Sequence, residues 1–264
     1  MVKIDNRKRI SVIIAAGGSA GRFGQKDLIS KQFLLLDGKP FLFHSIEKFL
    51  SLKNVFEIIV VTNDLNSTNK LLKEANYSDD MKFKTVEGSV LRQDSVYNGF
   101  CKVDSSVDLV VVHDVARPLF KIEDLEKCIE ASSVSGAAIL AVPVVDTIKH
   151  AISDKDRLLV KNTVDRQNLY LIQTPQVFNY NLLSQAYKKF KDSNQIVTDE
   201  ANMLEILGEK VELIPGDRTN IKITYPEDLK IAEGILKGAS VKNSKITRHC
   251  EERSDEAISK ALKS

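Results

Sequence analysis

The sequence predicts an α/β fold: a mostly parallel twisted sheet with helices on both faces and an antiparallel β-hairpin arm. Three observations carry this. Short β-branched runs alternate with longer segments of helical period, which is the signature of successive βα units. Several of the strand-like runs, such as Phe56–Thr62 and Val107–His113, are apolar on both faces, as strands covered on two sides must be. Between Pro143 and Gln173 the pattern switches to polar–apolar alternation about a Ser-Asp-Lys-Asp turn signal.

Taken in order, Ile10–Ala16 reads as the first strand and ends in a glycine-rich loop. Phe41–Leu50 is amphipathic and follows Pro40, a favourable residue at a helix start. Phe56–Thr62 is the next strand, with Asp64 as N-cap of the helix after it. Lys82–Val86 is a shorter strand, and Ser89–Cys101 has helical spacing. Val107–His113 is the most strand-like stretch, followed by a helix over Ile122–Ser132 and a strand over Ala137–Val142. Asp146–Ile152 and Arg157–Val164 form the predicted hairpin, an excursion of the kind used as an arm or lid. Asn179–Lys191 and Asp199–Leu207 read as helices, Lys210–Ile214 as a strand and Pro226–Leu236 as the last helix. Residues 1–237 are therefore read as one domain, with 143–173 as its arm. Residues 238–264 are polar and charge-mixed, and read as a tail, disordered or a loosely attached helix.

Bulk composition narrows the function classes. The 264 residues are 43% hydrophobic and 28% charged with a net charge of +2, so no nucleic-acid or membrane-surface partner is indicated. The three cysteines, Cys101, Cys128 and Cys250, are scattered, which fits a reducing compartment rather than a disulfide framework or zinc site. No apolar run is long enough to span a bilayer. Cytoplasm is the expected location.

Ligands of such sheets bind beyond the carboxyl ends of the strands, near a reversal of strand order. Two constellations fall there. Ala15-Ala16-Gly17-Gly18-Ser19-Ala20-Gly21-Arg22-Phe23-Gly24, with Lys31-Gln32-Phe33 beyond it, offers backbone N–H groups and two cations, Arg22 and Lys31, to phosphate oxygens. Neither a Walker lysine motif nor GxGxxG is formed. The plain alternative is a strand-to-helix turn with solvated cations. The second constellation, His113-Asp114-Val115-Ala116-Arg117-Pro118, puts a carboxylate suited to Mg²⁺ and an anion-pairing arginine at the end of the strongest strand. Its alternative is a surface Asp–Arg pair, and His113 reads as a packing residue.

In order along the chain stand AAGG…GRFG, SKQFL, GSVLRQDSV, VVHDVARP, PVVDTIK, TVDRQNLYLIQTPQVF, TDEA and NIKIT. Together they resemble the 2-C-methyl-D-erythritol 4-phosphate cytidylyltransferases of the non-mevalonate isoprenoid pathway, from about Ile10 to about Leu236. The resemblance implies a Rossmann-like nucleotidyltransferase fold and transfer of CMP from CTP to 2-C-methyl-D-erythritol 4-phosphate, assisted by Mg²⁺. It implies Arg22, Lys31 and Lys222 as catalytic cations. It places Ala15, Ala16, Gly17, Gly18, Gly21, Gly88, Arg92 and Ser95 around the nucleotide, with Asp114 as the metal ligand. Arg117, Thr147, Arg166 and Thr174 are implied on the acceptor, with Thr147 and Arg166 reaching it from an arm exchanged within a homodimer. Two departures stand out: an extra residue between Gly17 and Arg22, and Ser89 where the family has a second glycine, which matters if that position needs positive φ. Thr198-Asp199-Glu200 has a simpler reading as a helix start, with Thr198 as N-cap and acids in the first turn.

The residue types suit the reaction. A phosphate monoester, with its second pKa near ~6, is already ionised at neutral pH and needs no activating base. The obstacle is repulsion between two anions, which cations and a divalent metal held by one aspartate relieve. Competing readings are a ribitol 5-phosphate cytidylyltransferase, a sugar-nucleotide pyrophosphorylase, and a nucleotide-binding protein without catalysis.

Overall fold

A computed structural model describes residues 8–18, 30–75, 82–190 and 195–238. Strand β1 (Ile10–Ala15) runs into the glycine loop, and a single 3-10 turn follows at Lys31–Phe33. The short pair β2 (Leu35–Leu36) and β3 (Lys39–Pro40) closes about Asp37 and Gly38, both with positive φ. An Asp-Gly pair is the usual chemistry for such a turn, and this hairpin is absent from the sequence reading. Helix α1 (Phe41–Leu50), β4 (Val55–Thr62), α2 (Leu65–Glu74) and β5 (Lys82–Glu87) come next. Asp64 caps α2 as expected, its side chain accepting from the Ser67 N–H. Then come α3 (Arg92–Phe100), β6 (Leu109–Asp114), α4 (Ile122–Ser135) and β7 (Ala137–Pro143). The arm is β8 (Ile148–Asp154) and β9 (Arg157–Val164). Strand β10 (Tyr170–Asn179), α5 (Tyr180–Phe190), α6 (Glu200–Ile206), β11 (Glu212–Pro215) and a helix α7 over 226–238 complete the described chain.

The central sheet has the order β11-β7-β10-β6-β1-β4-β5, with every neighbour parallel except those of β10. Its two faces follow directly from the period-two alternation of the strands. Val12, Ile14, Ile58, Val60, Leu109 and Val111 point to one core, shared with α1, α4 and α7. Ile13, Ile59, Val61, Val110 and Val112 point to the other, shared with α3, α5 and α6. Helix α3 approaches that second face closely because Gly99 carries no Cβ. An added Cβ there would lie 2.7 Å from Val61 and 2.9 Å from Ile13.

Strand β10 is the main element that the sequence did not disclose. Its ladder with β7 breaks between Ile172 and Gln176, where Pro175 has no N–H to give and Gln173, Thr174 and Gln176 put polar side chains into the strand. Those side chains are buried and find partners: the Gln173 amide donates to the Asp217 carbonyl (2.8 Å), and Gln176 donates to the Asp199 carboxylate (2.8 Å). The hairpin arm falls where periodicity places it. It pairs only with itself in the described chain, and Leu158, Leu159, Val160 and Ile152 on it are exposed.

Lys48 on α1 fastens the chain that leaves β6. Its amine donates to the carbonyls of Pro118 and Phe120 (both 2.7 Å) and lies over the Phe120 ring. Burial pushes its pKa from 10.5 down to about 8, with Glu123 acting weakly the other way. Between those two values the unfolded chain carries more protons on this group than the folded one. Its contribution to stability therefore rises as pH climbs through that window. Urea titrations of the wild type and Lys48→Met should show the wild type gaining on the variant by about 1 kcal/mol per pH unit from pH 8 to 10. A pH-independent difference would contradict burial of this cation.

Candidate active site

Strand order reverses at β1, whose neighbours are β4 on one side and β6 on the other, and the residues closing this edge are paired, Ala15 with Asp114. The crevice there is the place where a doubly wound sheet holds its ligands. It contains a cavity of about 580 Å³, the size of a small-molecule site. Ala15, Gly17, Gly18 and Lys31 form one wall, Asn63 and the segment Ser89–Val90 a second, Arg92 and Ser95 of α3 a third, and Asp114–Ala116 with Lys222 and Thr224 the remainder.

Charge in this cavity is organised about Asp114. Arg92 Nε donates to one carboxylate oxygen (3.0 Å) and Lys222 Nζ to the other (2.7 Å). Behind Arg92 its NH1 reaches the carboxylate of Glu200 on α6 (3.2 Å), which is only 2% exposed. Burial by itself would raise the Asp114 carboxyl, but Arg92 and Lys222 overcome it and hold the group well below the usual carboxylate range. Burial raises Glu200, with Arg92 opposing. Burial likewise disfavours the Arg92 cation, but Glu200 and Asp114 together raise it above its ordinary value. Lys31 joins the same rim: its amine donates to the Ile223 carbonyl (3.0 Å), next to Lys222, and its backbone N–H to Gly18 O (3.2 Å).

The pleat explains why adjacent residues of β6 have different work. His113 points to the α1 face, against Phe49 and Phe120 and between Ser45 and Thr174. Burial lowers its pKa to about 3, so the imidazole is neutral and packs, as the sequence suggested. Asp114 points to the α3 face, toward Arg92. Its backbone N–H donates to Thr174 Oγ1 (3.0 Å), which fixes the end of β6 against β10.

Of the residues singled out in the sequence, Ala15, Gly17, Gly18, Lys31, Arg92, Ser95, Asp114 and Lys222 are brought together around the cavity. Gly88 stands just behind it: a Cβ there would meet Asn63 Oδ1 at 2.3 Å, while the Asn63 amide donates to Gly17 O (2.9 Å). Ala16 is fully buried beside the rim. Ser89 does not have positive φ, so serine serves at that position, and its N–H donates to Ser95 Oγ (2.8 Å). Four residues stand away from the cavity. Thr174 is occupied with Asp114 and His113. Arg117, expected on substrate phosphates, instead donates to the carbonyls of Asn220 (2.8 Å) and Ile172 (3.1 Å), because its side chain turns in between β10 and the loop after β11. Thr147 and Arg166 are exposed at the root of the arm, where Arg166 bonds to the Val145 carbonyl. Gly21 and Arg22 lie outside the described residues, as do Ser19 and Ala20 and the chain beyond 238.

Two participants were missed. Asn63 follows a strand's carboxyl end, so the position rule that found Asp114 would have found it too. Glu200 was read as a first-turn acid, and its burial against Arg92 is a tertiary fact with no local signal. The N-cap of α6 is Asp199, which accepts from the Asn202 N–H (2.8 Å), and not Thr198.

Comparison with known proteins agrees with this geometry. The sequence profile of the 2-C-methyl-D-erythritol 4-phosphate cytidylyltransferase family matches residues 10–238. An enzyme of that name from Alkaliphilus oremlandii is 41% identical over 236 residues, covering 89% of this chain and 98% of its own. One from Caldanaerobacter subterraneus is 40% identical, covering 86% and 99%. Among solved structures, 4-diphosphocytidyl-2C-methyl-D-erythritol synthase from Anaerococcus prevotii superposes with a TM-score of 0.73 at 33% identity, covering 89% of this chain and 98% of that one. The Thermus thermophilus cytidylyltransferase gives 0.69 at 30% identity, covering 87% and 99%.

The position of Thr174 makes a sharp prediction. Thr174→Val leaves the buried Asp114 N–H without an acceptor and should cost about 1–3 kcal/mol of stability in urea unfolding, whereas Thr174→Ser should stay close to wild type. Were Thr174 only a substrate contact, the Val variant would unfold at the wild-type urea concentration.

Proposed function

This chain belongs to the 2-C-methyl-D-erythritol 4-phosphate cytidylyltransferase family and transfers CMP from CTP to 2-C-methyl-D-erythritol 4-phosphate; we propose that the cavity between β1 and β6 is where it does so. One observation supports this most: Lys31, Arg92, Asp114 and Lys222, far apart in sequence, converge on one cavity whose wall includes the Gly17–Gly18 backbone. Among the described residues that line it, three cations face one carboxylate, an arrangement for a polyanion.

In this reading the triphosphate lies along the glycine loop and Lys31, with Arg22 beside it. The cytosine is held by the Ala15–Ala16 backbone and the Gly88–Ser89 segment, which Ser95 fastens by accepting the Ser89 N–H. An oxygen of the acceptor phosphate attacks the α-phosphorus from the side opposite the bridging oxygen. The new P–O bond forms as the bond to that bridging oxygen breaks, and pyrophosphate leaves. Lys31 and Lys222 absorb the charge that builds on the phosphates. No side chain need take a proton, because the nucleophile arrives ionised.

Asp114 is the metal ligand in this proposal. Among the described residues no cluster of three or more His, Cys, Asp or Glu is available for a metal. One carboxylate beside a phosphate site fits Mg²⁺, which keeps most of its water and takes the rest from phosphate oxygens. Bound there, Mg²⁺ would supply neutralisation of the triphosphate. Lys222, half-exposed and paired with Asp114, is then placed to turn toward phosphate.

The acceptor half is proposed to come from a second copy. Thr147 and Arg166 are on the arm and do not line the cavity of their own chain. A two-stranded hairpin is marginal alone and needs packing, and the exposed Leu158, Leu159 and Val160 supply a surface for it. A homodimer exchanging arms meets both needs. The domain is then 1–237 with its arm at 143–173, and the compartment is the cytoplasm. Among the described residues no helix is long and apolar enough to cross a membrane.

Lys31→Ala should lower turnover about 10²–10³-fold, and Arg166→Ala should chiefly raise the KM for the acceptor. With the acceptor well below the raised KM, mixing the two variants and allowing subunits to exchange should restore about a quarter of wild-type activity, since about half the dimers are then mixed and half the sites of each are intact. No recovery on mixing would remove the exchanged arm from the proposal. Faster turnover of ribitol 5-phosphate than of 2-C-methyl-D-erythritol 4-phosphate would overturn the acceptor.

A further inference from the structure

We infer that Glu200 is a positioning residue that keeps Asp114 competent for a divalent cation, by holding the far side of Arg92. The inference rests on the reading of Asp114 as the metal ligand. Four charges form a chain across the end of the sheet: Glu200, Arg92, Asp114 and Lys222, joined at 3.2, 3.0 and 2.7 Å. Their sum is zero, two carboxylates against two cations. Arg92 and Glu200 come from α3 and α6, so only the tertiary fold brings them together. Glu200 does not line the cavity.

The geometry shows what Glu200 does. Its carboxylate takes NH1 of Arg92 with both oxygens, at 3.4 and 3.2 Å, while Nε donates to one oxygen of Asp114. A guanidinium released from Glu200 would be free to set two N–H groups of one edge on Asp114, the two-toothed pairing that arginine and carboxylate prefer. Asp114 would then face a stronger cationic competitor, in a cluster carrying one net positive charge. Both effects oppose a divalent cation at Asp114. Lys222 is not comparable: it is 46% exposed and can turn away, whereas Arg92 is fixed between two acids.

The test uses the full chain with saturating CTP, no acceptor, and Mn²⁺ as the probe, with bound metal read by electron paramagnetic resonance. Glu200→Gln keeps the shape and an acceptor oxygen for Arg92 but removes the charge. It should weaken Mn²⁺ binding about 10- to 100-fold and raise the Mg²⁺ needed for half-maximal turnover by the same factor. Glu200→Asp keeps the charge and should bind Mn²⁺ more tightly than Glu200→Gln. Asp199→Ala removes the α6 N-cap without touching Arg92; it should lower the melting temperature and leave Mn²⁺ affinity as in wild type. Unchanged Mn²⁺ affinity in Glu200→Gln would overturn the inference. So would equal loss in Asp199→Ala or in Glu200→Asp, since either would mean that α6 acts through its integrity alone. Asp114→Asn separates the two layers: if it leaves Mn²⁺ binding intact, the metal reading fails and this inference with it. If Asp114→Asn abolishes binding while Glu200→Gln does not, only the role of Glu200 fails.

Discussion

A single buried carboxylate, Asp114, held between Arg92 and Lys222, is the constraint on which the cavity depends. Burying it without partners would be prohibitive. The fold answers with one cation on each oxygen, and each draws in another part of the chain. Arg92 brings α3 and, through Glu200, α6. Lys222 brings the loop between β11 and α7, which Lys31, Arg117 and the Gln173–Asn220 pair tie down from behind. The same side chain that gives the cavity its one lining carboxylate among the described residues also gathers the cations around it.

The sheet makes this possible because strand order reverses beside β1. Parallel strands leave their carboxyl ends on one rim, so residues as distant as Ala15, Asn63, Asp114 and the Ser89 segment become neighbours. Alternation along β6 then sorts adjacent residues: His113 goes into the α1 core as a neutral packing group, and Asp114 goes to the charged side. Gly99 sets how close α3 can lie, and thereby where Arg92 and Ser95 stand.

Much of this is legible in the sequence. Strands with β-branched alternation, the helix after Pro40, the Asp64 cap and the arm hairpin all follow from local rules. Four chemical residues, Lys31, Arg92, Asp114 and Lys222, were named from motif order, and they converge. What was not legible is tertiary. Strand β10 hides behind Pro175 and the polar Gln173, Thr174 and Gln176, which become acceptable in a sheet only because Asp217, Asn220, Asp199 and His113 meet them there. Arg117 has the sequence context of an anion-binding residue, yet its guanidinium is spent on two backbone carbonyls. Glu200 looks like a helix-start acid until α3 is placed beside it. Local pattern announces donors and acceptors; which of them pair is decided by packing.

The most direct test of the account is a crystal structure of the protein with CTP alone. The triphosphate is predicted against the Gly17–Gly18 backbone and Lys31, with the Arg92–Asp114 pair kept and Lys222 turned toward phosphate. A nucleotide bound on another surface, or one whose binding pulls Arg92 off Asp114, would contradict it.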